Sequence, residues 1–285
     1  MGVEAGVITS LDNPKVKLAR SLKSRRGREK AGRFLLEGPK FIAEGLDYGW
    51  PIQYVLVAEA KLAAYGQLLE RLEASGIPMV RVRDGIFNVL SDTVHSQGLI
   101  AVANKSRASW DSLVAHGRPS LVVIGDRLQD PGNLGTIIRT AAAVGADALI
   151  LTSGSCDPFN EKCVRASAGA VLRLPIVEGE KEEELAGKLS RAGLGLAISA
   201  PQAKGALPPW GVDLLRPTAL VLGNEGQGVS PYLMGRAEVT IGIPLAEGLE
   251  SLNVATAASM ILYEAWRQRH LAPAPDPSHA AGCTA

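Results

Sequence analysis

Cysteine, histidine and aromatic residues are all scarce in this chain. Its 285 residues include 3 Cys, 4 His and only 5% aromatic residues. Cys156, Cys163 and Cys283 show neither a paired disulfide framework nor metal-ligand spacing, and an odd count favours a reducing compartment. The histidines are scattered, so we predict no metal site.

Long apolar runs are also missing. No stretch approaches the ~20 apolar residues that a membrane-spanning helix needs. The N-terminus has no uninterrupted apolar segment of the kind found in signal peptides. We therefore predict a cytoplasmic protein with no membrane partner.

The composition is that of a folded α/β protein, with 46% hydrophobic residues and enough length for two domains. Residues 1–104 are predicted to form a small α/β domain, and residues 105–118 a linker. Residues 119–270 alternate apolar strand candidates with helical stretches, which predicts a parallel sheet covered on both faces. Residues 271–285 are a Pro/Ala-rich tail that we expect to be disordered.

The net charge is only +1, but the basic residues are concentrated near the N-terminus. Only Glu29 and Glu37 oppose them. A local basic stripe attracts phosphate backbones, although a solvated helix face would have the same pattern. The stripe consists of Lys15, Lys17, Arg20, Lys23, Arg25, Arg26, Arg28, Lys30, Arg33 and Lys40.

Three polar or glycine-rich segments follow strand candidates of the second domain. In the first segment, Asn133 can cap the following helix, and Gly135 allows close approach of backbone or ligand. Arg139, six residues after Asn133, has a guanidinium that can bind a phosphate in a forked geometry. A capped helix with a surface arginine is the alternative reading of this segment.

The second segment runs from Leu222 to Ser230 and contains three glycines. Its backbone could grip a ligand, or it could be a plain strand-to-helix turn. A phosphate loop is a poor fit, because Glu225 would repel an anion and no Gly-Lys-Ser/Thr follows.

The third segment carries the most information. A Pro/Gly turn after Ile243 delivers Glu250, Ser251 and Asn253 to the start of an apolar helix, with Ser251 as its predicted N-cap. Free N–H groups and the positive end of the helix dipole suit a polar ligand there. The helix, predicted over 252–267, is apolar almost all round and should be buried. Since ligands collect at the carboxyl ends of strands in α/β sheets, we predict one site shared by the three segments.

In this order, the three segments resemble the motifs of the SpoU (TrmH) family of RNA 2′-O-ribose methyltransferases. Asn133-x-Gly135-x-x-x-Arg139 is similar to motif 1, and Gly223-Asn224-Glu225-Gly226 to motif 2. Motif 3 corresponds to Ile243-Pro244 and to Glu250-Ser251-Leu252-Asn253-Val254. The resemblance implies S-adenosylmethionine as methyl donor, a deep trefoil knot of the SPOUT type in the C-terminal domain, and a homodimer.

The family's positions also imply roles for individual residues. Backbone groups of Gly223, Ile243 and Leu252 would hold the cofactor. Arg139 would act at the 2′-hydroxyl; because arginine is normally protonated, we interpret it as fixing the ribose-phosphate. Asn133, Glu225, Ser251 and Asn253 would organise this catalytic site.

The first domain is similar to the family's N-terminal RNA-binding domain, with an L30e-like α/β fold. It carries Asn13-Pro14-Lys15-Val16-Lys17, Phe34-Leu35-Leu36-Glu37-Gly38 and His95-Ser96-Gln97-Gly98. Asp157-Pro158-Phe159-Asn160 and Arg165-Ala166-Ser167-Ala168-Gly169 are similar to the branch that acts on 23S ribosomal RNA, which we favour as substrate. Transfer RNA, methylation of a base, and a non-catalytic RNA-binding protein are the alternatives.

Overall fold

The computed structural model consists of two α/β domains of unequal size. It describes residues 6–91, 96–105, 108–115, 117–200, 203–249 and 251–271. Three residues that figured in the sequence reading, His95, His116 and Glu250, lie outside the described residues, as does the predicted tail after residue 271.

The N-terminal domain is built on a mixed sheet of five strands in the order β1-β4-β3-β5-β2. β4 runs parallel to β1 and β3, whereas β5 is antiparallel to β3 and β2. The strands are β1 (Val7–Ile8), β2 (Arg33–Glu37), β3 (Ile52–Ala58), β4 (Met79–Val82) and β5 (Leu99–Asn104). The helices are α1 (Pro14–Ser21), α2 (Arg25–Ala31), α3 (Pro39–Asp47), α4 (Gly66–Ala74) and α5 (Asp84–Leu90), and a 3₁₀ segment covers Glu59–Tyr65.

The C-terminal domain has the predicted parallel sheet, with six strands in the order β11-β9-β10-β6-β7-β8. The strands are β6 (Leu121–Gly125), β7 (Ala148–Thr152), β8 (Ile176–Glu180), β9 (Gly195–Ser199), β10 (Thr218–Leu222) and β11 (Val239–Ile241). The helices are α6 (Trp110–Ala115), α7 (Pro131–Ala143), α8 (Glu161–Ala166), α9 (Glu182–Ala192), α10 (Pro231–Met234) and α11 (Val254–His270), with 3₁₀ turns at Ala170–Leu172 and Pro209–Gly211.

One hydrophobic core runs through both domains. Phe34 of β2 and Phe159, just before α8, meet with ring centroids 4.8 Å apart. α6 lies inside the predicted linker, and its Trp110 is buried against the large sheet. The domains are therefore packed against each other rather than merely tethered.

The surface of α11 corrects one sequence prediction. The helix begins at Val254 and ends at His270, and it packs against α7 with Ala255, Ala258, Ile261, Leu262 and Ala265 buried. Met260 and Tyr263, however, are 47% and 58% exposed. An apolar helix that was predicted to be buried all round thus leaves one apolar side open.

At Gly135, α7 lies close against α8, which agrees with the close approach predicted for this residue. A Cβ added there would lie within 3 Å of the carbonyl oxygen of Cys163 and the backbone nitrogen of Ser167. Backbone atoms cannot rotate away, so we expect Gly135→Ala to lower the free energy of unfolding by about 1–3 kcal/mol. Urea denaturation measures this, with Gly66→Ala as control because a Cβ at Gly66 meets nothing within 4 Å. Equal stability of the two variants would contradict the packing described.

Candidate active site

A cavity of about 880 Å³ opens where β9 and β10 end. Its volume is in the range of small-molecule sites, roughly 300–1,000 Å³. The three segments singled out in the sequence meet there, and Arg139 is the predicted site residue that is missing from its wall. The predicted residues in the wall are Asn133, Gly223, Glu225, Ile243, Ser251, Leu252 and Asn253.

Hydrogen bonds join one side chain from each of the three segments. Asn253 Nδ2 donates to Asn133 Oδ1 at 2.9 Å. Asn133 Nδ2 in turn donates to Glu225 Oε1 at 3.1 Å. These contacts close three loops, which are far apart in sequence, around a single space.

The helix caps differ from those predicted. Asp130, not Asn133, caps α7, because Pro131 suits the first helical position and starts the helix earlier. Asn253, not Ser251, caps α11 and accepts from the backbone N–H groups of Ala255 and Thr256. The shift leaves the amide of Asn133 free for the cross-loop contacts.

Glu225 holds the loop that precedes α7. Besides Asn133, its carboxylate accepts from the backbone N–H groups of Gln129 and Asp130, both at 3.1 Å. Partial burial alone would raise the pKa of Glu225, but the hydrogen bonds from Asn133 and from backbone N–H groups outweigh it and lower the pKa. Glu225 therefore works as an ionised acceptor.

Glu225→Gln is expected to cost about 1 kcal/mol of unfolding free energy at pH 7, a modest value because the side chain is exposed. A lowered pKa in the folded state stabilises the fold above the ordinary value of 4.5, and this contribution is lost as pH falls through the folded-state pKa. The stability gap between wild type and variant should therefore shrink in acid. Urea denaturation from pH 7 to pH 3 measures it, with exposed Glu70→Gln as control; a gap that does not change with pH would contradict this role.

Asn224 organises the glycine-rich loop, a role that the sequence reading did not assign. Its Oδ1 accepts from the backbone N–H groups of Gly226 and Gln227, both at 2.9 Å. Its Nδ2 donates to the carbonyl oxygen of Arg127 at 2.8 Å. An asparagine side chain that bonds to its own backbone two residues on is a common turn device, so the Asn-x-Gly spacing was the available signal.

Asp126 was also missed. It directly follows β6, is fully buried, and accepts from Thr152 Oγ1 at 2.9 Å and from the Ser230 N–H at 2.7 Å. These bonds tie together the chain segments that leave β6, β7 and β10. An acidic residue directly after an apolar strand was the signal in the sequence.

Arg139 lies on the open surface of α7, away from the cavity. A separation of six residues turns an α-helix through about 600°, so Arg139 points roughly 120° away from Asn133. Within the part of the chain that the structure describes, no hydrogen bond or ion pair of Arg139 is found. Thr140 Oγ1 and Ser259 Oγ, 3.1 Å apart, join α7 to α11 nearby.

The charge of the cavity wall limits its ligands. Among the described residues in the wall, Glu225 is the one charged side chain. Burial raises the pKa of Cys156, near the same loops, to about 12, so its thiol stays protonated at neutral pH. A ligand with cationic character fits this wall better than a polyphosphate.

The described residues include neither a metal-binding cluster nor a membrane-spanning helix. They contain no group of three or more His, Cys, Asp or Glu side chains that could hold a metal ion. In the same part of the chain, no helix is both long enough and apolar enough to span a bilayer.

Comparison with known proteins covers both domains. The SpoU rRNA Methylase family matches residues 120–263, and the MRM3-like substrate binding domain matches residues 13–101. An uncharacterized tRNA/rRNA methyltransferase of Synechocystis is 37% identical, covering 94% of this chain and 96% of that protein. The 23S rRNA (guanosine(2553)-2′-O)-methyltransferase of Bacillus subtilis is 31% identical, covering 90% and 97%.

A solved structure agrees over nearly the same length. The AdoMet-bound rRNA methyltransferase from Sinorhizobium meliloti superposes with a TM-score of 0.83 at 30% identity, covering 94% of this chain and 99% of that one. With both domains matched and a cavity built from all three motif segments, the chain belongs to the SpoU family of S-adenosylmethionine-dependent RNA 2′-O-ribose methyltransferases.

Proposed function

We propose that this protein methylates a ribose 2′-hydroxyl of 23S ribosomal RNA in the cytoplasm. The observation that carries the proposal is the Asn253–Asn133–Glu225 hydrogen-bond chain, which closes the three motif segments around one cavity. The B. subtilis relative, whose name gives a 23S rRNA 2′-O activity, supports the choice of RNA. Transfer RNA stays the alternative, since the Synechocystis relative is named for both RNAs.

The cavity suits S-adenosylmethionine in size and charge. Gly223, Ile243 and Leu252 lie in its wall, where their backbone groups would hold the cofactor. A Cβ at Gly223 would run into the backbone of Gly228 and Val229, so the loop folds back tightly at this point. The bound cofactor supplies a methyl group on a sulfonium centre, whose positive charge suits a wall with one carboxylate.

The chain's own residues must also align the ribose and assist the loss of the proton from its 2′-hydroxyl. We assign Arg139 to the ribose-phosphate, where its guanidinium would stabilise negative charge that develops on the 2′-oxygen. The hydrogen bonds among Asn133, Asn253 and Glu225 fix the three loops relative to one another. Ser251 lies in the cavity wall, where it can reach the ribose.

Arg139 lies outside the wall of its own chain's cavity, which argues for a homodimer. α7 and α11 both begin at the cavity, and their outer surface carries Arg139 together with the exposed Met260 and Tyr263. We propose that this surface pairs with a second copy of the chain and brings Arg139 to the partner's cavity. We also propose that the 223–228 loop and the segment before α11, which face each other across the cavity, are parts of the trefoil knot.

RNA binding should depend on the outer side of α2. Arg26 and Lys30 are exposed there, one helical turn apart. Replacing both by glutamine should weaken RNA binding and reduce the slope of log affinity against log salt by about 0.7–0.9 per charge removed. Filter binding at several salt concentrations measures this. Lys181→Gln/Arg191→Gln, just before α9 and near its end, removes the same charge elsewhere, and an equal loss in that control would contradict the assignment.

The substrate is tested by mapping 2′-O-methyl sites on total RNA from cells with and without this protein. We expect one ribose of 23S rRNA to lose its methyl group in the deletion strain and to regain it when wild type is restored. A site in transfer RNA would support the alternative, and an unchanged map would contradict the proposal.

A further inference from the structure

A buried ion pair joins the basic N-terminal helix to the catalytic domain. Arg28 Nε lies 2.6 Å from Asp157 Oδ2, and the side chains are only 2% and 4% exposed. Arg28 Nη1 also donates to the carbonyl oxygens of Leu22 and Lys23 at 2.8 and 3.1 Å. Arg28 is therefore unavailable to RNA, although the sequence reading placed it in the basic stripe. A buried ion pair often adds little net stability, because taking two charges out of water costs about as much as their attraction returns. The Arg28–Asp157 pair therefore calls for an explanation other than stability.

Further contacts fix the interface between the small domain and the catalytic domain. Arg25 Nη1 donates to the carbonyl oxygen of Ser155 at 3.1 Å. Lys105 Nζ lies 3.8 Å from Asp157 Oδ1 and 4.9 Å from the ring centroid of Phe159. With the Phe34–Phe159 ring contact, these interactions hold the small domain in one orientation.

Residues 154–157, which contact α2, also support the loop that precedes α7. The backbone N–H of Cys156 donates to the carbonyl oxygen of Leu128 at 2.8 Å. Gln129 Nε2 donates to the carbonyl oxygen of Gly154 at 2.8 Å. The Gln129 backbone N–H is in turn bonded to Glu225. A short series of contacts thus leads from α2 to the cavity wall.

We propose that Arg28 and Asp157 are positioning residues that determine which nucleotide is methylated, an inference that rests on the proposed function. α2 turns Arg28 inward to the catalytic domain and Arg26 and Lys30 outward to solvent. α2, the helix that we expect to contact RNA, is therefore also the helix anchored to the segment that supports the loop before α7. The orientation of α2 therefore sets the distance between the bound RNA and the cavity.

The test is a double variant, Arg28→Met/Asp157→Leu, in the full-length protein. It removes both charges, so that neither is left buried without its counter-ion. We expect RNA and S-adenosylmethionine affinities to change by no more than about threefold. The kcat should fall by about tenfold or more, because small misplacements of a reacting group are costly. Methyl groups should also spread to neighbouring nucleotides.

Arg28→Lys keeps the charge but not the forked geometry, and it is expected to give an intermediate kcat and spread. Arg71→Met/Asp47→Leu removes an exposed pair with the same 2.6 Å separation inside the small domain, and should leave both readouts unchanged. Thermal unfolding confirms that each variant is folded, and Arg28→Lys provides the readout if the double variant is not. A folded double variant, or otherwise Arg28→Lys, with wild-type kcat and wild-type site choice would overturn the proposal. A wild type that methylates no RNA would instead refute the proposed function.

Discussion

Arg139→Ala should lower the rate of methyl transfer by about 10³-fold while S-adenosylmethionine binds as before. Arg139 is exposed on α7 and lies outside the cavity wall, so its removal leaves the cofactor contacts intact. What is lost is the positive charge that would face the ribose-phosphate and the developing negative charge on the 2′-oxygen. Single-turnover transfer of a labelled methyl group, together with calorimetric titration of the cofactor, separates these effects.

The control for Arg139→Ala is Arg191→Ala, which removes another exposed arginine from the end of α9. It should transfer methyl groups at the wild-type rate. Turnover of Arg139→Ala close to that of this control would refute the catalytic assignment of Arg139.

Gly223→Ala should weaken cofactor binding itself, and not catalysis alone. The new Cβ would collide with the backbone of Gly228 and Val229, where Asn224 and Gly228 exchange two hydrogen bonds of 3.0 and 2.9 Å. Relief requires opening this turn, which forms part of the cavity wall. Overpacking of about 1–3 kcal/mol corresponds to roughly a 10- to 100-fold loss of affinity.

Calorimetric titration of S-adenosylmethionine into Gly223→Ala measures this loss, and circular dichroism shows whether the variant is folded. Gly66→Ala is the matched control, because the same methyl group meets no atom within 4 Å there. If folded Gly223→Ala binds the cofactor like wild type, the 223–228 loop does not hold it.

These two variants together test the proposal that the protein is a homodimer with a site shared between the two chains. In an equimolar mixture, half of the dimers would be mixed, and each would contain one intact cavity served by one intact Arg139. About a quarter of wild-type activity should therefore return. No recovery in a mixture shown to exchange subunits would contradict a site shared between two chains.

The buried strands were readily predicted from the sequence because burial constrains every position in them. β6 and β10 are buried at all five residues, and apart from Thr218 at the start of β10 they consist of apolar residues and glycine. β8 was missed because only Ile176 and Val177 are buried, and two glutamates and a glycine follow them. Its pairing with β7 is set by tertiary contact and not by local pattern.

The sequence predicted that the three segments meet at one site, and they line one cavity, but it did not predict the contacts that join them. Local preference alone allowed Asn133 and Ser251 to cap helices, whereas the structure uses Asp130 and Asn253. The contacts of Asn133 with Glu225 and Asn253 join residues 92 and 120 positions away. No pattern within one segment could reveal them.

Two arginines show where the sequence reading could not succeed. In sequence, Arg28 is indistinguishable from its basic neighbours, because Asp157, its buried carboxylate partner, lies 129 residues further on. Arg139 lies outside the cavity wall of its own chain, and the role that we propose for it requires a second copy of the chain and RNA.

Nucleoside analysis tests most directly whether this cavity directs methyl transfer to ribose. The protein is incubated with 23S rRNA and S-adenosylmethionine carrying a labelled methyl group, and the RNA is digested and analysed by mass spectrometry. If methyl transfer is directed to ribose, we expect label in a single 2′-O-methylnucleoside with wild type and none with Arg139→Ala. Label on a base, or no label with cofactor-bound wild type, would contradict it.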